Sequence, residues 1–482
     1  MPSVGSDDPA DQDGEPIPGL VALLPVVALV GLLALFILVL PAYFPGYEGT
    51  GHLPLLLAAS VAALVAWSYG WSWAALEDGI ARAIRMSMSA VLILLVIGML
   101  MGTWLAGGIV PALIDWGLSL LSPSYFLPTV CLVCSAVSIV SGSSWSTAGT
   151  VGIAMVGIGG ALGVDPAMTA GAVISGAYFG DKLSPMSDTT NLAPAMAGTT
   201  LFEHVRHMAF TTAPSWVIAM IVYAVLSLGS EATVDAAEVV AIQQTIREQF
   251  DPGLVHVVPL VVVIGLVMAR RPALPTLLLG ALLGAVLALY RGATPPMVIG
   301  AAMSGFKAST GQTAVDELLS RGGLLDMGST VILIFCAMSF GGVMERTGML
   351  RTLAAQLLRL ATSTGRLVAV TIATGVGINI VAGDQYISIV VPGRMYAEAY
   401  RERGLHPKNL SRALEDGGTL TSPLVPWNTC GAFMAGTLMV STGAYLPYAV
   451  LNLVNPIIGI LYGFLGITIA RLPEKSSPPR SS

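Results

Sequence analysis

Runs of about twenty apolar residues, the length that crosses the hydrocarbon core of a bilayer as a helix, recur along this 482-residue chain. They fall at 19–42, 53–75, 89–109, 209–229, 255–269, 273–290, 329–345, 366–382 and 445–470. No water in that core satisfies a backbone N–H or C=O, so a spanning segment must close its hydrogen bonds internally, as an α-helix does. Composition agrees. The chain is 55% hydrophobic and 10% charged, against about 25% charged in soluble domains. The pattern predicts an all-α polytopic membrane protein, set in a lipid bilayer with little soluble mass.

Several function classes drop out. The formal net charge of −6 comes mainly from the N-terminal tail and the segment 230–254, so no nucleic-acid partner is expected. No P-loop, dinucleotide fingerprint or nucleophile motif is present. The histidines His52, His204, His207, His256 and His406 are scattered, apart from His204 and His207, which read as a solvated interfacial pair or, alternatively, as a pH sensor. No enzyme is expected. Cys131-x-x-Cys134 lacks the second ligand pair of a zinc site; with Cys336 and Cys430 it reads as small apolar residues in helices. Residues 1–18 carry Asp7, Asp8, Asp11, Asp13 and Glu15 among Pro and Gly, and read as a disordered tail. No Lys or Arg precedes Arg82, so 19–42 lacks the positive flank of a signal peptide and reads as a retained first helix.

The stretch 141–208 breaks the apolar pattern. It places Asp181, Lys182 and Asp188 at membrane depth, with Ser141, Ser143, Ser144, Ser146, Thr147, Ser184, Ser187, Thr189, Thr190 and Asn191 where Leu and Val are expected. A charge at bilayer depth costs roughly 3 kcal/mol on insertion scales and usually marks a functional site. Gly142, Gly176, Gly180 and Pro185 interrupt the helices. Broken backbone at that depth is tolerated where protein shields it or a cavity adjoins it. The expectation is a polar or ionic site built from discontinuous helices near the midplane.

These motifs carry a resemblance. SGSSWST (141–147), SGAYFGDKLSPMSDTTNLAP (175–194) and LFEHVRHM (201–208) resemble the NhaC family of Na+/H+ antiporters, which also includes malate/lactate exchangers. AGDQYISIVVPGRM (382–395) and the stretch from LSRALEDGGTLTS (410–422) to PWNTCGAFMAGTL (426–438) resemble the family's C-terminal signatures. The resemblance implies a secondary transporter with re-entrant hairpins, and a homodimer.

A repeat also emerges at an offset of 238 residues. Gly180 falls on Gly418, Ser184-Pro185 on Ser422-Pro423, and Met196–Thr199 on Met434–Thr437. The two matching stretches read as the hairpins. Lys and Arg mark cytoplasmic loops. The connections 43–52, 105–125 and 158–170 have none, while their counterparts hold Arg270 and Arg271, then Arg346, Arg351 and Arg359, then Arg394, Arg401, Arg403, Lys408 and Arg412. Equivalent loops thus fall on opposite sides, with one dissent: 291–328 carries Arg291, Lys307 and Arg321 yet falls outside, and long loops obey the rule poorly. The expectation is an inverted-topology repeat with broken helices: 1–18 a cytoplasmic tail, 19–229 the first repeat, 230–254 an extracellular connector, 255–470 the second repeat and 471–482 a cytoplasmic tail. Such proteins are commonly transporters with a site between the halves.

A dehydrated Na+ takes about five or six oxygen ligands, by the hard-cation logic that governs calcium. Four breaks offer them. Candidates are Ser141, Ser143, Ser144 and Thr147; Asp188, Thr189 and Asn191; Asp384 and Gln385; and Thr421, Asn428 and Thr429. Asp188, Asn191, Asp384 and Asn428 form the expected Na+ core. Burial raises a carboxylate's pKa and a bound cation lowers it, so Asp188 and Asp384 would hold Na+ or a proton but not easily both. Each Asp can also cap a half-helix. Proton or gating roles are open to Asp181, Lys182, Glu415 and Asp416. Asp181 and Lys182 either neutralise each other, with Lys182 a structural tether, or Lys182 answers a substrate carboxylate or stands in for Na+. Glu415 and Asp416 either line an entrance or cap a hairpin, and Glu345-Arg346 reads as a pair at a membrane boundary. Trp145 and Trp427 read as rigid walls beside the breaks. The leading reading is Na+/H+ exchange, with no cofactor beyond Na+ as transported or coupling ion; the second is Na+- or H+-coupled transport of a small organic anion or amino acid.

Overall fold

The computed structural model describes residues 14–44, 46, 47, 49–229, 236–269 and 271–472. Residues 1–13 of the acidic tail, 230–235 of the connector, Arg270, and 473–482 with Lys475 and Arg480 lie outside them. Among the described residues seven helices are long and apolar enough to cross a membrane, or up to nine if two pairs bent at short breaks each count as one. The bent pairs are Val239–Phe250 with Leu254–Met268, at 89°, and Thr442–Tyr448 with Val450–Leu465, at 58°. Residues 14–18 depart from the disordered-tail expectation. Ile17 is buried, and the Glu15 amide donates to Tyr69 O at 2.9 Å.

Two hairpins organise the core. In the first, Pro123–Ser141 runs inward and 144–161 returns. The arms meet again at the base, where Gly159 lies against the Phe126 ring, with Thr169 of the next helix beside it. In the second, Thr364–Ala382 runs inward and Gln385–Glu402 returns. Its arms are tied by Tyr396 Oη to Thr374 Oγ1 (2.7 Å) and Tyr400 Oη to Thr371 Oγ1 (3.0 Å). Each inward helix stops at a glycine with positive φ, Gly142 at 68° and Gly383 at 66°. A left-handed residue there ends the helix and turns the chain, which glycine does without steric cost.

The hairpins enter from opposite faces, and two helices serve as rulers. Val450–Leu465, about 24 Å long at 1.5 Å per residue, begins beside the first hairpin's partner helix. There Leu451 N donates to Ser175 Oγ (3.3 Å), and Tyr448 packs on Gly171. It ends with Phe464 on Gly365, at the second hairpin's base. Leu201–Gly229 runs the other way. His204 near its start bonds Ser411 (2.8 Å), and Ser227 near its end accepts from Leu127 N (3.2 Å).

Two crossings, each interrupted midway, pass between the hairpins. Pro166–Leu183 descends from the first hairpin's base, and Asp188–Ala197 continues to the second's. Met196 there packs on Gly393, and Ala193 and Ala197 join a cluster with Leu367, Tyr396 and Tyr400. In mirror sense, Pro407–Leu414 and Glu415–Thr419 lead to the centre, and Thr429–Leu438 continues to the first hairpin, with Leu438 against Gly152. The stretches 180–199 and 418–437 are therefore broken crossings, not the hairpins. The Ser184–Met186 turn resembles a hairpin bend, but the helix restarted by the Ser187 cap is held at the far base by long-range packing.

The repeat is real, with a corrected register. Helix boundaries recur at a spacing of 241 residues: Ser122 and Ser363, Gly142 and Gly383, Ser143 and Asp384, Asp165 and His406, Ser187 and Asn428, Gly198 and Met439. The 238-residue identities lie three residues off. That is close to one turn of 3.6, so small residues recur on nearly the same helix face at either spacing. Both described chain ends lie on the second hairpin's face. Gln356 fills the space beside Gly19, and Leu472 N donates to Gly404 O (2.8 Å). The helix Ala236–Phe250 lies on the other face, its Arg247 paired with Asp115 (2.7 Å).

Candidate functional site

Four helix N-termini converge where the hairpin tips meet the broken crossings. Ser143 Oγ accepts from Ser146 N (3.1 Å), and Asp384 Oδ1 accepts from Tyr386 N (2.8 Å) and Ile387 N (3.0 Å). Ser187 Oγ accepts from Thr190 N (3.4 Å), and Asn428 Oδ1 from Cys430 N (3.0 Å). A helix N-terminus carries roughly half a positive charge, which favours a carboxylate there. Three of the four have one. Asp384 caps its helix and Asp188 stands in the first turn of its own. Asp181 accepts from Ser144 N (3.2 Å) and Ser144 Oγ (2.6 Å) at the start of the first hairpin's outward arm.

Asp181, Asp188 and Asp384 share one cavity of ≈ 330 Å³. Ser143, Ser144, Thr189, Gln385 and Thr429 also line it, so both halves contribute polar groups. Met86, Ser87, Leu274 and Leu277 close it from peripheral helices, and among the described residues no Lys, Arg or His lines it. Asp181 and Asp384 are buried and Asp188 is exposed to the open space. Among the described residues no three His, Cys, Asp or Glu side chains stand close enough to hold a metal together. A monovalent cation here would draw on one or two carboxylates with hydroxyls and carbonyls.

Five expected ligands fall outside the lining. Ser141 and Thr147 brace the first tip, Oγ to Oγ1 at 3.4 Å, with Thr147 also donating to Ser143 O (2.9 Å). Asn191 spends its amide on Ser187 O (2.7 Å) and Pro185 O (3.0 Å). Thr421 donates to Gly417 O (2.5 Å) and accepts from Asn379 Nδ2 (3.0 Å). Asn428, besides its cap, donates to Asn379 Oδ1 (3.1 Å). Trp145 stacks on Phe433 at 4.0 Å and lines the cavity, whereas Trp427, whose Nε1 donates to Ile380 O (2.7 Å), packs beside the Gly383 break outside the lining. Asn379 and Tyr386 went unnoticed in the sequence. Asn379 is a lone amide one turn before the Gly383-Asp384 break, and that position is the signal that marks it.

Asp181 and Lys182 do not neutralise each other. Successive helical residues point about 100° apart. Asp181 faces the first hairpin's tip, and fully buried Lys182 pairs with Asp416 of the other half. Asp416 Oδ1 also accepts from Asn455 Nδ2 (2.7 Å) and Thr211 Oγ1 (3.3 Å). Glu415 and Asp416 are buried rather than lining an entrance. His204 and His207 are buried too, against the expectation of a solvated pair. Residues 204, 207, 208, 211 and 215 recur at helical spacing on the packed face of Leu201–Gly229, while Glu203 and Arg206 face outward. That periodicity was the available signal. Arg346 approaches Asp78 (3.9 Å) and lies over the Trp71 ring (5.9 Å).

Residues 176–467 match the Na+/H+ antiporter family. The chain is 39% identical to the Na(+)/H(+) antiporter NhaC of Alkalihalophilus pseudofirmus over 422 residues, 87% of this chain and 91% of that one. It is 37% identical to the malate-2H(+)/Na(+)-lactate antiporter of Bacillus subtilis over 417 residues, covering 86% and 89%. It is also 37% identical to the arginine/ornithine antiporter ArcD of Halobacterium salinarum over 468 residues, covering 96% and 95%. Broken crossings, opposed hairpins and this identity over most of the chain agree: the protein belongs to the NhaC family of Na+/H+ antiporters.

Proposed function

We propose that the protein exchanges Na+ for H+ across the cell membrane by exposing the shared cavity alternately to either side. The observation that carries this reading is the cavity itself, where three carboxylates and, among the described residues, no basic side chain meet at the tips of two oppositely directed hairpins. Asp181, Asp188 and Asp384 hold the cation, assisted by Ser143, Ser144, Thr189, Gln385 and Thr429. The second hairpin's face, with Arg394, Arg401, Arg403 and Lys408, is the cytoplasmic one by the basic-loop rule. Both chain ends are then cytoplasmic and the connector 230–254 external. The functional unit is a homodimer.

One observation favours a second reading. At ≈ 330 Å³ the cavity is larger than a single dehydrated ion needs, and small-molecule pockets begin near about 300 Å³. The acidic, base-free lining suits an organic cation, such as a basic amino acid, and disfavours an organic anion, since Lys182 is committed to Asp416. Transport by the purified protein in proteoliposomes separates the two readings. Na+-driven proton movement without any added solute supports the first. Uptake that requires a cationic amino acid, with no Na+-driven proton movement in its absence, overturns it in favour of the second.

A further inference from the structure

The cavity leaves one buried cluster unused. Glu415 is fully buried, does not line the cavity, and among the described residues neither carboxyl oxygen has a hydrogen-bond partner. Asp416 Oδ2 is also without a partner. The charged groups acting on Glu415 are Lys182, Asp181 and Asp416, and the Thr419 hydroxyl stands beside it. Leaving an ion buried and unpaired costs several kcal/mol. Native proteins keep few such groups, and each calls for a reason.

A line of titratable side chains leads to this cluster from the second hairpin's face. At the surface His406 Nε2 stands 3.8 Å from Glu203 Oε1. Inward of it, buried His207 lies among His406, Lys408, Asn409 and Arg412. His204 stands one turn back on the same helix and on the side facing the crossing, its Nδ1 bonded to Ser411 and its charged neighbours Lys182 and His207. Both histidines have an Nε2 that is buried and without a partner. Arg412 is a fixed cation alongside, donating to Thr468 Oγ1 (2.8 Å). The line ends at Lys182, a charged neighbour of both His204 and Glu415, paired in turn with Asp416.

We propose that Glu415 carries the coupled proton, at a site separate from the cation cavity and reached through His207 and His204. The proposal deepens the Na+/H+ reading and rests on it. Na+ needs a cage of oxygens, which two unpartnered carboxyl oxygens in a packed interior do not offer; a proton needs no space. The step is a simple transfer: a proton from water passes to His207, to His204, and then to the Glu415 carboxylate, which becomes the neutral acid. It leaves again when the site faces the other side. The proton is then not the one that competes with Na+ in the cavity, and the two loads are linked because Lys182 and Asp181 are neighbours on one broken crossing.

Two fluxes in proteoliposomes of the full-length protein test this: exchange of 22Na+ for trapped Na+ at equal pH, and proton movement driven by a Na+ gradient. Glu415→Gln, close to isosteric, is expected to lose the second and keep the first. Retention of both fluxes overturns the proposal. Loss of both places Glu415 within the cation pathway and overturns the separation of sites. Should Glu415→Gln fail to assemble, His204→Gln carries the same test: proton movement slowed several-fold with 22Na+ exchange intact supports the path, and unchanged proton movement refutes it. Wild-type protein that exchanges 22Na+ but moves no protons sinks the Na+/H+ reading before any variant is compared, and this proposal falls with it.

Discussion

The two halves share a backbone and differ in where they place charge. Capping positions recur at a spacing of 241 residues, yet the side chains at them are exchanged in kind. Ser143 answers Asp384, Ser187 answers Asn428, and Asp188 answers Thr429. The contact between a tip and its crossing is conserved, but its donor and acceptor change places. Ser144 Oγ donates to Asp181 in the first half (2.6 Å), and Ser422 Oγ donates to Gln385 in the second (2.8 Å). The same holds deeper. Asp416 pairs with Lys182, whereas its counterpart Ser175 bonds Tyr223 (2.6 Å). No two carboxylates of the site occupy equivalent positions. A literal duplication would double the acidic groups around one cavity, where like charges disfavour each other's ionisation. The repeat builds the cavity's shape, and divergence sets its charge.

The sharpest test of that division is Asp384 against its counterpart. Asp384→Asn should abolish Na+/H+ exchange while the melting temperature barely moves, because Asn caps a helix about as well as Asp. Ser143→Asn, the matching change in the first half, keeps the cap and removes no charge, so exchange should persist at reduced affinity. Full activity in Asp384→Asn would mean that the second half contributes a cap and nothing more.

Next in size is a transplant of the second half's contact into the first. Ser144→Gln with Asp181→Ser reproduces the Gln385–Ser422 pair and removes one carboxylate. A hydrogen bond to a charged group contributes about 1.5–3 kcal/mol, so apparent Na+ affinity should fall roughly ten- to a hundredfold. Ser144→Ala alone, which keeps the carboxylate and removes one of its two donors, should weaken affinity less. Equal effects would show that the hydroxyl, not the charge, determines binding.

Much of this was legible in the sequence, for identifiable reasons. Gly142, Gly383 and Asp384 announce interrupted helices because few other reasons exist for them in apolar runs. Asp188 and Asp384 could be expected to share a site because each sits at one break of a repeated pattern. The path of the chain through Ser184-Pro185 was not legible, since a turn's local chemistry is the same whether the next helix folds back or continues. Contacts such as Met196 on Gly393 decide it, across about two hundred residues. The partner of Lys182 is hidden for the same reason: Asp416 lies 234 residues away, while the sequence neighbour Asp181 suggests a local pair.

The two tip glycines should differ in stability rather than transport. Alanine at either carries the cost of a left-handed backbone, about 1–2 kcal/mol. At Gly142 the new methyl group would also stand 2.7 Å from Met186 Cβ and 2.9 Å from its backbone carbon, whereas at Gly383 the nearest atom is the movable Met338 Cε at 3.2 Å. Gly142→Ala should therefore lower the melting temperature of the purified protein more than Gly383→Ala. The reverse order would mean that the second tip, not the first, is the more tightly held.

The smallest effect is expected at the asparagines once paired as Na+ ligands. Asn428 caps Thr429–Leu438 and bonds Asn379, so Asn428→Ala should cost about 1 kcal/mol, the usual value of a lost cap. Asn191 is exposed, and its two bonds are local ones to the preceding turn. Asn191→Ala should change stability by no more than about 0.5 kcal/mol and leave Na+ affinity as it was. A marked loss of Na+ affinity in Asn191→Ala, with stability intact, would bring that amide into the cavity in some state of the cycle, and would restore a symmetry between the halves that the side chains otherwise deny.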